Sequence, residues 1–117
     1  NKLSTILRVI QLEVRKKMNN FLNKKKNKKI IILDIPLLLE NKINNKNDIL
    51  IFVDANKSNT IKRLKKRRNF NQKLINMFKK IQLSLAYKKR ISHFIIKNNF
   101  TKKSVKKDIK VILSKIL

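Results

Sequence analysis

The 117-residue chain contains no glycine, no cysteine and no tryptophan, and only one proline and one histidine. Glycine supplies about 7% of an average protein and takes left-handed turns at no steric cost, so every such turn here must be made by a residue that carries a Cβ. Without cysteine there is neither a disulfide framework nor a thiolate metal site, and a lone histidine leaves no zinc constellation. A reducing compartment is the default and no metal ligands are assigned. Long apolar runs are also missing: "IIILDIPLLL" is interrupted by Asp34 and "ILIFV" is shorter still, so neither spans a bilayer, and no secretory signal opens the chain. The start at Asn1 and the lack of glycine give the expectation of a piece of a longer chain.

Acidic residues are scarce as well, six against 32 lysines and arginines, for a formal net charge of +26. Such a balance ordinarily points to a polyanion: nucleic acid, a phosphate-bearing ligand or an anionic membrane. Here 26 lysines stand beside 16 asparagines and 18 isoleucines. These are the residues of A/T-rich codons, and most of the charge is assigned to compositional drift.

The length suits one small domain. Leu3, Ile6, Leu7, Ile10, Val14, Met18, Phe21 and Leu22 recur at three- and four-residue steps, which predicts a helix within 1–27. "KIIILDI" is β-branched, continuous and stopped by Pro36, predicting a strand near 29–35. A second strand is expected near 49–54 in "ILIFVDAN" and a third near 93–97 in "SHFIIKN". Between them "SNTIKRLKKRR", capped by Ser58 or Asn59, and "NQKLINMFKKIQLSLAYKKR" read as two helices within 58–90. A last helix over 101–117 carries Val105, Ile109, Ile112, Leu113 and Ile116 on one face. Strands alternating with helices imply an α/β fold, a parallel sheet with flanking helices. Ligands bind such sheets beyond the carboxyl ends of the strands, where Asp34, Asp54 and Asn98 fall. The apolar helix stripes, Met18 and Met77 included, are read as core.

Four blocks carry a family resemblance. "IIILDIPLLLEN" resembles the "DIPLLFE" segment of dephospho-coenzyme A kinases, "ILIFVDANKSNTIKRLKKR" is similar to their strand, acidic turn and "RLxxR" block, and "IQLSL" and "SHFIIKNNF" resemble their "QMPL" and "ADFVIxN" blocks. The resemblance implies an incomplete P-loop nucleoside-kinase-like domain whose P-loop strand is missing; in the family that strand lies between those matching "IIILDI" and "ILIFVD". It implies ATP and Mg²⁺ as cofactors and phosphoryl transfer from ATP to the ribose 3′-hydroxyl of dephospho-coenzyme A, in the cytoplasm. Such transfer rests on positioning and charge neutralisation. With no glycine the chain has no P-loop of its own, and it is expected to be an inactive fragment in isolation.

The same resemblance assigns candidate residues. Asp34 and Glu40 fall on the substrate-binding side, the plainer alternative being strand-end and helix-start carboxylates. Arg63 and Arg67, one turn apart in "RLKKR", are lid cations suited to bidentate phosphate contact, and Arg90 is a second lid cation; these three are the catalytic candidates. Asn98 falls near the adenine and Gln82 in the "QMPL"-like block. Each could equally be a solvated charge or a turn residue, and Asp54 could be a helix cap. Lysines such as Lys24, Lys25 and Lys102 read as solvated. His93 stands where the family has aspartate and reads as structural. Gln11-Leu12 replaces a His-Pro pair, which removes a helix start and a substrate contact and lets the first helix run unbroken from Leu3 to Phe21. The alternative reading is a small basic nucleic-acid-binding module, which rests on charge alone and lacks aromatics interleaved with the basic residues.

Overall fold

The computed structural model describes residues 2–117, in two compact units, the first ending at Asn45 and the second running Lys46–Leu117. Among the described residues there are five helices and a two-stranded parallel sheet, an α/β composition.

The first unit is built on α1, Lys2–Lys24, a single helix through the Gln11-Leu12 position. Leu3, Leu7, Val14, Met18 and Leu22 are half-buried, whereas Ile6, Ile10 and Phe21 remain exposed, so only one side of the expected stripe is covered. The strand expected over 29–35 is not formed: residues 30–35 run without ladder pairing, and Ile32 is 84% exposed. A continuous apolar run sets a preference for extended backbone, but a strand exists only through a neighbour's N–H and C=O groups. Among the described residues the two strands of the second unit pair only with each other. From Pro36 the chain turns tightly, Asn41 N–H donating to the Leu37 carbonyl and Ile43 N–H to that of Leu38, both at 3.0 Å. Leu37 and Lys42 hold left-handed backbone, φ 55° and 52°. Each would be relieved by glycine and costs about 1–2 kcal/mol as an L-residue. Ile43, 3% exposed, is buried behind this turn.

In the second unit β1, Ile51–Ala55, pairs in parallel with β2, Phe94–Asn98, Ile51 lying opposite Phe94 and Ala55 opposite Asn98. Three helices connect them: α2, Lys57–Lys65; α3, Gln72–Ile81; and α4, Leu85–Ile91. The cap of α2 is Asn56, not Ser58 or Asn59. Its extended backbone lets Oδ1 accept the N–H groups of both those residues, at 2.9 and 3.3 Å, so the helix begins at Lys57. The single helix expected over "NQKLINMFKKIQLSLAYKKR" is two helices. Gln82 leaves the helical region at ψ 142°, and the Ser84 hydroxyl accepts the Tyr87 N–H at 3.2 Å, starting α4. A good internal cap thus competes with continued apolar periodicity and wins. After β2, Thr101 caps α5, Lys102–Ile116, which packs on β2 and buries Ile112. Ile109, Leu113 and Ile116 of the expected core stripe are exposed, as are Met77 on α3 and Ile51 and Val53 on β1. Ile43 and Ile112 are the buried apolar residues among those described, so polar and turn contacts carry an unusual share of the local order.

Candidate functional site

The carboxyl end of β2 opens onto the larger cleft, about 630 Å³, where Arg63 of α2 meets Asn98, Phe100 and the α5 lysines 102, 106 and 110. No carboxylate lines it. The turn that shapes it is written in "NNFT". Asn98 Oδ1 accepts the Phe100 N–H at 2.8 Å, and Asn99 Oδ1 accepts the Thr101 N–H at 3.0 Å and its hydroxyl at 2.6 Å. Between these bonds Phe100 sits left-handed, φ 64°. Its ring lies under the Arg63 guanidinium, with Cζ 3.9 Å from the ring centroid, a close cation–π pair. The arrangement offers a planar apolar patch bordered by fixed positive charge, a chemistry suited to an anion with an aromatic portion.

Within the second unit the structure brings Arg63 and Asn98 together and leaves Arg67 and Arg90 outside that cleft. Arg67 lies past the end of α2, in a turn where its N–H donates to the Leu64 carbonyl and its carbonyl accepts from Phe70, both at 3.1 Å. Because α2 stops at Lys65, the two arginines are not neighbours on one helical face. Arg67 instead lines a second cleft of about 330 Å³ with Arg68, Phe70 and Leu74. Arg90, on α4, places its guanidinium 5.4 Å from the Tyr87 ring and lines neither cleft. Lys102, read as a solvated lysine, borders the larger cleft, while Lys24 and Lys25 are exposed. Asp34, exposed, and Glu40, half-buried, belong to the first unit.

Several residues have structural partners. Asp54 Oδ2 accepts from Lys89 Nζ at 3.0 Å, an ion pair that ties β1 to α4 with both side chains over a third exposed. The backbone N–H of Gln82 closes α3 on the Phe78 carbonyl at 3.0 Å. His93 is bonded to Leu50 in both directions, its N–H donating to the Leu50 carbonyl at 2.8 Å and its Nδ1 accepting the Leu50 N–H at 2.9 Å. That exchange extends the β1–β2 pairing by one step and accounts for a histidine at the strand start.

Sequence reasoning missed three contributors. Arg15 Nη2 donates to the carbonyls of Asn41 and Lys42, at 2.7 and 3.2 Å, and Gln11 Nε2 donates to that of Asn41 at 3.3 Å. The residue standing in the His-Pro position thus holds the turn that follows "DIPLLLEN"; its i, i+4 spacing from Arg15 was the available signal. Phe100, the floor under Arg63, gave none, since an isolated phenylalanine after a strand reads as core. Among the described residues no three histidines, cysteines or carboxylates gather to hold a metal ion, and no helix is long and apolar enough to cross a membrane.

Comparison with known proteins adds an independent line. The family model described as "Dephospho-CoA kinase" matches residues 1–104. The chain is 32% identical over 113 residues to the dephospho-CoA kinase of Wolbachia pipientis wMel, a match covering 97% of this chain and 54% of that protein. It is 31% identical over 94 residues to the dephospho-CoA kinase of Wolbachia sp. subsp. Brugia malayi (strain TRS), covering 80% of this chain and 48% of that one. The chain thus spans about half the length of the curated relatives it matches. No solved structure matches it significantly.

Proposed function

This chain belongs to the dephospho-CoA kinase family, and from that premise we propose that it is the nucleotide-clamping and acceptor-side part of a cytoplasmic, ATP-dependent kinase acting on the ribose 3′-hydroxyl of dephospho-coenzyme A. In that reaction the hydroxyl oxygen bonds to the γ-phosphorus of ATP, the bond to the β–γ bridging oxygen breaks, ADP leaves and the hydroxyl proton is released. The observation that carries the reading is the meeting of Arg63 and Asn98 in one basic cleft without a carboxylate. Asn98 belongs to the adenine side of the nucleotide and Arg63 to its phosphates; Arg67, which lines a separate cleft in this chain, is assigned as a lid cation that meets the phosphates in the complete kinase, and Arg90 to the second lid position. Asp34 and Glu40, in the first unit, are assigned to the acceptor. Arginine suits the phosphate role because its planar fork offers two parallel donors.

The residues present do not fit every group the reaction uses. Among the described residues no three histidines, cysteines or carboxylates gather, and Mg²⁺ in such transfers is held mainly by substrate phosphates with one or two carboxylates, so the part assigned to this chain is binding, orientation and charge neutralisation. A glycine-free chain has no close backbone cradle for the β- and γ-phosphates. We assign that cradle to the half of the relatives' length that this chain does not span, and expect the 117 residues alone to be inactive.

The test is product formation from dephospho-coenzyme A, ATP and Mg²⁺, by the 117 residues alone and by a fusion carrying the unmatched part of the wMel kinase upstream of Asn1. Turnover by the fusion only is expected. Turnover by the chain alone would refute the division of labour. A folded fusion that neither turns over nor binds ADP would overturn the kinase reading.

A further inference from the structure

Phe100 occupies a backbone position that favours glycine, φ 64°, in a chain that has none. A bulky residue stays left-handed only where its surroundings over-determine it. The bond from its N–H to Asn98 Oδ1, part-buried at 2.8 Å, supplies that constraint. The consequence is positional: the ring is delivered under Arg63, 3.9 Å from its Cζ. A ring face attracts a guanidinium through its quadrupole and competes only weakly for its N–H donors, so the donors of Arg63 stay available to an anion in the cleft.

We propose that Asn98 and Phe100 are positioning residues for Arg63: the Asn98 carboxamide fixes the left-handed turn, the turn presents the Phe100 ring, and the ring holds the guanidinium toward the nucleotide phosphates. The proposal rests on the reading of Arg63 as a phosphate contact. It departs from a direct-contact role for Asn98, whose Oδ1 is engaged by the Phe100 N–H. Position 98 then requires an acceptor oxygen at the right distance from the backbone, and position 100 an aromatic face despite its backbone cost.

Two readouts test this, the first on the 117-residue chain. The first is the Arg63 Nε–H resonance, moved upfield by the Phe100 ring. Phe100→Leu and Asn98→Ala are expected to return it to its ordinary position. Phe100→Tyr, which keeps the ring, and Asn98→Asp, which keeps the acceptor oxygen, are expected to leave it shifted, and the amide spectrum of each variant reports whether it folds. The second is ADP titration of the fusion with the wMel portion, where Asn98→Ala and Phe100→Leu are expected to weaken binding about two- to fivefold, the scale of one exposed cation–π contact, and Phe100→Tyr to change it little. An Arg63 resonance still shifted in Asn98→Ala overturns the proposal, as does wild-type ADP affinity in a Phe100→Leu variant that has lost the shift. If the folded wild-type fusion binds no ADP, the nucleotide reading falls, while the Arg63 resonance still decides whether Asn98 sets its position.

Discussion

Asp108 reaches from α5 to accept the backbone N–H of Lys97 in β2 at 2.8 Å. One turn earlier on the same helix, Ser104 Oγ donates to the Lys97 carbonyl at 3.1 Å. Both polar groups of Lys97 are thus satisfied by helix side chains, and at this point the edge of β2 away from β1 is closed to a further strand. Asp108→Ala is expected to speed Lys97 amide exchange about fivefold, the equivalent of about 1 kcal/mol for one lost hydrogen bond. Asp108→Asn, which retains an acceptor oxygen, should restore most of the protection. Unchanged exchange in Asp108→Ala would show that the contact does not guard this edge.

Arg15 is predicted to matter to the first unit more than its place on a lysine-rich helix suggests. Its guanidinium bonds two consecutive carbonyls, those of Asn41 and Lys42. Charge-assisted bonds are worth about 1.5–3 kcal/mol when well ordered, and partial exposure places this one near the lower end. Arg15→Met keeps the apolar stem and removes the donors. The expected outcome is about tenfold faster exchange at Ile43, whose N–H closes the turn on Leu38. A parallel Gln11→Leu change should act in the same direction and more weakly, because its bond is longer, 3.3 Å.

The helices α1 and α5 and the strands β1 and β2 were legible because each rests on a local pattern: apolar residues at helical steps over many turns, or a short β-branched run with a polar boundary. The segment 30–35 shows the limit of that logic. "IIILDI" has the composition of a buried strand, but pairing is a property of two segments, and the described residues supply it no neighbour. The break at Gln82–Ser84 was hidden for a different reason. Apolar spacing continues across it, and only the Ser84 cap shows that the chain restarts a helix there. In the cleft, Arg63 and Asn98 stood out through the family resemblance, whereas Phe100 carries no sequence signal for a left-handed backbone. The four-residue spacing set Arg67 beside Arg63 on one face of a continuous helix, and α2 ends too early for that.

Lys42 offers a stabilising substitution. At φ 52° it holds a conformation that glycine takes freely. Lys42→Gly is expected to gain about 0.5–1 kcal/mol once the added freedom of the unfolded chain is subtracted from the relieved strain. Lys42→Val should lose stability, since β-branching makes the left-handed region harder still to hold. Protection of the Ile43 amide should rise in the first variant and fall in the second. Equal effects of the two would mean that the turn is set by its hydrogen bonds and not by backbone preference.

Arg67 and Lys25 together separate a kinase from a general binder of polyanions. In a kinase an arginine assigned to the nucleotide phosphates acts at one place, so its loss removes transition-state stabilisation that no other cation replaces. In a nucleic-acid binder each exposed cation releases counterions to a similar extent, so removing any one of them lowers the salt slope by about one. Arg67 borders a cleft with Phe70 and Leu74, whereas Lys25 is an exposed residue just past the end of α1. In the fusion completed with the wMel portion, Arg67→Ala is expected to lower the turnover number by about 10²-fold, in keeping with the loss of a single charge-stabilising donor. Lys25→Ala should leave turnover within the error of the assay. Salt titrations of DNA and RNA binding on the same two variants complete the comparison. If turnover survives Arg67→Ala while nucleic-acid affinity falls equally in both, the charge of this chain is its function, and the kinase assignment of Arg67 is wrong.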